Sequence, residues 1–251
     1  YIEKSESLER LDHRIFDLED SVDESEVDDA LKCLSNTNIK KSDWLRISLA
    51  KRNQAEIIRR VSELELNNYV IPKFEGYHDF ELIHSDIVNV NPMAKMILLI
   101  ENAKAYIELE KILKEYNKTI YGISLGIHDF AFETGIKNDY KLLRDIRVNI
   151  MLLAKSYSIM PIDIVSMHLR DNAKLTDEIM DGFNLGYRAK FLIHPNQLEI
   201  LNSVEFYSLK DTEEYNAVLQ YFNTKINGKE ALFSYNGRVY EKMHIKEIRK
   251  I

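Results

Sequence analysis

Three carboxylates, Asp17, Glu19 and Asp20, lie in "HRIFDLEDSVDE" (13–24) among Ile15, Phe16 and Leu18, side chains with the character of a core. Burying an unpaired carboxylate is costly, so such a cluster must cap a helix, meet a cation or face water. Further along, Arg46, Lys73, Glu101 and Asp129 fall at or just beyond the ends of short apolar runs, "WLRIS" (44–48), "YVIP" (69–72), "MILLI" (96–100) and "IYGISL" (120–125). Carboxylates in company with two cations fit a hard divalent ion and an anionic ligand. Mg²⁺ takes oxygen ligands in octahedral geometry, commonly one or two carboxylates completed by substrate oxygens and waters. Glu101 and Asp129 are the expected pair. A phosphate-cradling loop is not expected, because neither GxxxxGK[ST] nor a comparable glycine-rich turn occurs among the eight glycines.

The elements that would position these residues follow from periodicity. Each apolar run precedes a longer charged stretch with helical spacing. "RIFDL" (14–18) precedes 25–34, where Val27, Ala30, Leu31 and Leu34 share a face, and "WLRIS" precedes 54–66. "YVIP" precedes 77–87, "MILLI" precedes 103–116, and "IYGISL" precedes 138–157. "IDIVSM" (162–167) precedes 173–186, with Gly186 as the stop, and "KFLI" (190–193) precedes 196–204. Tyr1-Ile2 followed by "SESLERL" is read as the remnant of an eighth unit. Strands alternating with helices predict a parallel sheet, since each crossover needs a covering helix. The expected fold is α/β, a (β/α)8 TIM barrel over residues 1–208, with a C-terminal extension over 209–251 serving as a lid or an oligomer interface. A dinucleotide-binding sheet would want a glycine-rich first turn, and there is none. In a barrel the functional groups sit where strands end, which is where Glu19, Asp20, Arg46, Lys73, Glu101, Asp129 and His194 fall.

Each of these residues also has a structural reading. Asp20 or Ser21 could cap the helix beginning near Val22, and Glu101 could face the next helix dipole. Arg46 could be an ion-pair partner, Lys73 a surface residue, and Asp129 a turn residue. His128 and His194 come without HExxH or Cys/His spacing and read as structural. The coincidence of so many charged strand ends favours a site. The 251 residues are 45% hydrophobic and 30% charged, as in a globular protein, and the net charge of -7 excludes a nucleic-acid footprint. No apolar run approaches the roughly 20 residues of a membrane span. The single Cys33 excludes a disulfide framework, and with no secretory signal in view a cytoplasmic location is expected.

The motifs and their order resemble the citrate lyase beta-subunit-like branch of the HpcH/HpaI aldolases, in the phosphoenolpyruvate/pyruvate superfamily. The resemblance rests on "FDLEDSV" (16–22), "LRIS" (45–48) against Arg-x-Asn, "VIPK" (70–73), "LLIENAKA" (98–105) against Ile-Glu-Thr-Ala, and "GISLGIHDF" (122–130) against Gly-x-x-Asp. "PIDIV" (161–165) and "LGYRAKFLIHPNQ" (185–197) complete it, so it spans nearly the whole chain. The chain departs at its start, which lacks a strand ending Val-Pro-Gly, at Ser48 in place of Asn, and at "GRVYE" in place of Gly-x-Met-Val-Asp.

The resemblance implies a TIM barrel with Mg²⁺ between Glu101 and Asp129, and a carbon–carbon lyase or aldolase working through an enolate. The metal would act as Lewis acid and template, Arg46 would grip a carboxylate bidentately and stabilise the enolate, and Lys73 would join Arg46 in binding substrate. Glu19 and Asp20 would hold water on the metal or take part in proton transfer. The implied substrate is a small oxo- or hydroxy-acid or its coenzyme A thioester, and the alternative is a catalytically silent metabolite-binding homologue. The resemblance further implies a homo-oligomer, trimeric or a multiple of three, in which Glu241 completes a neighbour's site.

Overall fold

In a computed structural model, which describes residues 11–47, 54–225 and 230–248, the apolar runs pair as one parallel sheet. Its strands are β1 (Ile15–Asp17), β2 (Trp44–Arg46), β3 (Asn68–Ile71), β4 (Lys95–Ile100), β5 (Ile120–Leu125), β6 (Met160–Asp163) and β7 (Ala189–Lys190), hydrogen-bonded in that order. Parallel strands in strict chain order need every crossover to return on the same face, which curls the sheet into a half-barrel. The Tyr1-Ile2 strand expected as the eighth lies outside the described residues.

The sheet is buried on both sides, and strand residues alternate between two apolar clusters. Leu45, Tyr69, Ile71, Met96, Leu98 and Ile100 pack with the helices, whereas Trp44, Val70, Ile97, Leu99 and Ile162 pack inside the curl. The covering helices are α1 (Val27–Ser35), α2 (Gln54–Ser62), α3 (Tyr77–Val90), α4 (Ala103–Ile107), α5 (Leu109–Tyr116), α6 (Ile127–Thr134), α7 (Arg144–Ser156), α8 (Asn172–Leu185) and α9 (Pro195–Ser203).

Besides helix ends that move by a few residues (54–66 stops at Ser62, and 138–157 starts at Arg144), four details differ from the periodicity. The 103–116 helix is two, broken at Glu108, whose carboxylate turns aside to accept the Tyr77 N–H at 2.6 Å. α6 was not expected, because its eight residues follow β5 without a polar spacer. β6 starts and ends earlier than "IDIVSM", since the chain leaves the sheet at Ile164, whose carbonyl accepts Lys190 Nζ at 2.6 Å. β7 is two residues long and precedes most of "KFLI". A buried ion network braces that edge: Arg147 meets Asp163 at 2.9 Å and Asp181 at 2.7 Å, and Lys190 meets Asp163 at 3.2 Å.

The chain divides into two compact units, Tyr1–Asn202 and Ser203–Ile251. In the second, α10 (Leu209–Thr224) opens with a capping box between Ser208 and Asp211. It is followed by the antiparallel pair β8 (Leu232–Tyr235) and β9 (Arg238–Glu241), then α11 (Lys242–Ile248). Asn236 and Gly237 both take positive φ, 48° and 77°, the two-residue turn whose twist suits a hairpin. Val218, Phe222, Phe233, Tyr240 and Ile245 form its core.

Candidate active site

Register builds the first half of the site. β1 and β2 pair Asp17 directly with Arg46, and Arg46 is in turn paired with Val70, on the inner face of the curl. Arg46 donates from Nε to Asp17 Oδ1 at 2.8 Å and from Nη2 to Asp17 Oδ2 at 2.6 Å, a two-point fork. Its Nη1 lies 3.4 Å from Glu19 Oε2, and its Nη2 lies 3.9 Å from Asp20 Oδ2. The capping role considered for Asp20 or Ser21 falls to Asp23, whose side chain accepts the Ser25 N–H.

Lys73 ties the two halves together. Its ammonium sits 2.5 Å from Glu19 Oε1 and 2.6 Å from Asp20 Oδ1. The residue adopts a left-handed backbone (φ 51°), uncommon outside glycine, and that turn aims its N–H at Glu101 Oε2, 2.6 Å away. Glu101, immediately after β4, is buried. The space for it comes from Gly126, where a Cβ would overlap Glu101 Cγ and lie 2.8 Å from Oε1. Gly126 has φ -76°, open to any residue, so room is what requires glycine there. Asp129 follows in the first turn of α6, exposed, and close enough for its charge to act on Glu101.

Charge is unevenly distributed. Burial pushes the Glu101 carboxyl up to about 7, opposed by the Lys73 N–H and reinforced by Asp129 and Glu19. Burial also raises Glu19. Asp20 is lowered, because Lys73 and the Glu19 carboxyl hydrogen-bond it strongly enough to outweigh its own burial. The two carboxyls therefore hold a proton unequally, Glu19 keeping it longer. Arg46 and Lys73 are both raised despite burial, by the carboxylates around them, and stay charged.

Of the sequence-predicted residues, Glu19, Asp20, Arg46, Lys73 and Glu101 thus come together, with Asp129 at their edge. Glu241 ends β9 in the other unit, exposed, its N–H donating to His244 Nδ1 at 3.0 Å. Ser48 lies outside the described residues. His194 is exposed and accepts the Asn196 N–H at 3.1 Å, and His128 Nδ1 bonds the Asn138 side chain, both local contacts. Gly126 carried no assigned role in the sequence, and Asp17 a structural one but none in the chemistry. The period-two alternation of Ile15, Asp17 and Glu19 was the signal that could have placed Asp17 on the inner face. Among the described residues no three His, Cys, Asp or Glu side chains could hold a metal by themselves. Glu101 and Asp129 suit an ion that keeps waters and substrate oxygens in its remaining positions.

A family model described as HpcH/HpaI aldolase/citrate lyase matches residues 3–195. The (3S)-malyl-CoA thioesterase of Cereibacter sphaeroides is 26% identical over 258 residues, covering 99% of this chain and 88% of that protein. The human mitochondrial citramalyl-CoA lyase is 26% identical over 117 residues, 45% of this chain and 34% of that protein. Among solved structures, CitE of Mycobacterium tuberculosis in complex with magnesium, acetoacetate and coenzyme A superposes with a TM-score of 0.76 at 20% identity, covering 94% of this chain and 86% of CitE. At that identity the likeness concerns the fold.

Proposed function

The chain belongs to the HpcH/HpaI aldolase/citrate lyase family, and from that premise we propose that it is a Mg²⁺-dependent carbon–carbon lyase acting on a small oxo- or hydroxy-acid or its coenzyme A thioester. The observation that carries the reading is the charge imbalance at the strand ends. Among the described residues, Asp17, Glu19, Asp20, Glu101 and Asp129 gather there with Arg46 and Lys73 as the ion-pair partners of the cluster, and Glu101 is buried with a backbone N–H as its donor. A divalent cation would offset that excess, and Glu101 and Asp129 are the residues to hold it. When bound, Mg²⁺ would supply Lewis-acid polarisation of a carbonyl and a fixed point for substrate oxygens.

The remaining roles belong to this chain's own side chains. Arg46 turns its Nη1–Nη2 edge toward Glu19 and Asp20 and would take a substrate carboxylate or the developing enolate oxygen on that side. Lys73, restraining Glu19 and Asp20, would add positive charge on the same side. Glu19 and Asp20, with their unequal hold on a proton, would return one to the substrate carbon. The proposal includes closure of the half-barrel into eight strands, a barrel over 1–208 with an extension over 209–251, and a homotrimer in which Glu241 reaches a neighbour's site. The single cysteine supports a cytoplasmic setting.

A second reading is favoured by the malyl-CoA thioesterase relative, which spans nearly the whole chain. The same site would then direct water at a thioester carbonyl. A catalytically silent binding protein is the third. Calorimetric titration of Mg²⁺ with pyruvate or oxaloacetate present, into wild type and Glu101→Ala, tests the common premise. Binding lost in the variant is expected, and equal heats in both would remove Glu101 from the metal site.

A further inference from the structure

Asp17 is saturated from within the chain. A carboxylate offers about four lone-pair positions on its two oxygens. Oδ1 accepts Arg46 Nε at 2.8 Å and the Glu19 N–H at 2.9 Å, while Oδ2 accepts Arg46 Nη2 at 2.6 Å and the Ser21 hydroxyl at 2.5 Å. Nothing is left over for a metal or a substrate. The three carboxylates of "FDLEDS" are therefore not equivalent. The first is spent on geometry, the other two reach Lys73 and the outer side of Arg46.

We propose that Asp17 is a positioning residue that fixes which edge of the Arg46 guanidinium is offered to a substrate carboxylate, and that sets the turn carrying Glu19 and Asp20. A guanidinium has two edges capable of a bidentate grip, Nε–Nη2 and Nη1–Nη2. The register of β1 against β2 puts Asp17 on the first, so the second is the one that faces Glu19 and Asp20. Without Asp17 the side chain could rotate about its long stem and present either edge, and the Glu19 N–H would lose the acceptor that tightens the turn. Holding a binding group in one orientation is where affinity is gained, because the ordering is complete before the ligand arrives. The inference rests on Arg46 being the carboxylate-binding group.

The test uses the full chain labelled with ¹⁵N-arginine, in which the Arg46 Nε–H signal is identified by its loss in Arg46→Lys. In wild type and in Ser21→Ala, which keeps the fork, that proton should exchange slowly with solvent. In Asp17→Asn, which sets an NH2 donor against one arm of the fork and removes the charge that holds the other, it should exchange faster than in wild type. Calorimetry with Mg²⁺ present should show pyruvate binding weakened roughly 10- to 100-fold in Asp17→Asn, with Mg²⁺ affinity in the absence of pyruvate unchanged. A general loss of structure would move both. Should Asp17→Asn fail to fold, Asp17→Glu keeps the charge but displaces the fork by a methylene, and pyruvate binding several-fold weaker is expected. Wild-type pyruvate binding in a variant that has lost the slow Nε–H, or an Nε–H that stays slow in Asp17→Asn, overturns the proposal. If wild type itself binds no pyruvate, the functional reading fails, and the exchange measurement still decides whether Asp17 holds Arg46.

Discussion

Glu101 is more useful to the chemistry ionised and to the fold neutral. Burial first, then Asp129 and Glu19, raise its carboxyl from 4.5 to about 7. A group whose folded value lies above its unfolded one contributes stability that is complete below the unfolded value and lost as pH rises through the folded value. The metal-free protein therefore carries at about pH 8 a penalty of up to roughly 3 kcal/mol that is absent at about pH 4. Glu101→Gln should remove it, since the amide oxygen can still accept the Lys73 N–H. The expected outcome is a urea midpoint for metal-free Glu101→Gln above wild type at about pH 8 and equal to it at about pH 4, while Mg²⁺ binding is lost. A lower midpoint at the higher pH would show that Glu101 is already compensated by a charge in the chain. Arg46→Lys belongs to the same scale. An ammonium cannot span Asp17 and a substrate together, so turnover should fall by on the order of 100-fold with the fold intact, as judged by circular dichroism. Strand-end position made both residues legible in the sequence. The raised Glu101 carboxyl was not, because it depends on how deeply the packed structure buries the group and on Asp129 and Glu19, which other strand ends bring beside it.

At the scale of elements, strand periodicity located β1 to β5 closely, and the candidate site lies on the ends of those strands. The reading slipped at β6 and β7. There the apolar runs continue past the paired residues, and a buried Arg147–Asp163–Lys190 network, formed by residues far apart in the chain, decides where pairing stops. α6 was missed because a short helix directly after a strand leaves no polar boundary to detect. Its N-cap position is nevertheless where an element acts on the chemistry. Gly126→Ala suits the local backbone, yet its methyl would occupy the space of Glu101 Cγ. Mg²⁺ affinity should fall roughly 10- to 100-fold by calorimetry with the circular dichroism spectrum unchanged, and Glu101→Asp in the same chain, with one methylene less to accommodate, should recover part of it. Unaltered affinity in Gly126→Ala would mean that the Glu101 side chain does not need this pocket to bind the ion.

At the scale of the whole molecule, the acidic composition turned attention away from nucleic acid, the order of motifs pointed to the family, and the family model covers residues 3–195. Among the described residues no helix is long and apolar enough to cross a membrane. Assembly is a matter the single chain expresses only through exposed side chains such as Val239 and Glu241 on the hairpin of the second unit. If Glu241 serves a neighbouring copy, mixing dissociated Glu241→Ala and Glu101→Ala subunits should restore part of the activity that each lacks. Inactivity despite proven exchange would sink the shared site. The central claim, a Mg²⁺-dependent carbon–carbon cleavage at the ends of β1 to β5, is tested most directly by its products. The full chain is incubated with a panel of 3-hydroxyacyl coenzyme A thioesters and small oxo- and hydroxy-acids, with Mg²⁺ or with chelator, and followed by mass spectrometry. The predicted result is at least one substrate converted to two shorter carbon fragments, an oxoacid among them, only with Mg²⁺ and not by Glu101→Ala. Release of free coenzyme A with the acyl chain intact, or a panel bound but unchanged, would contradict it.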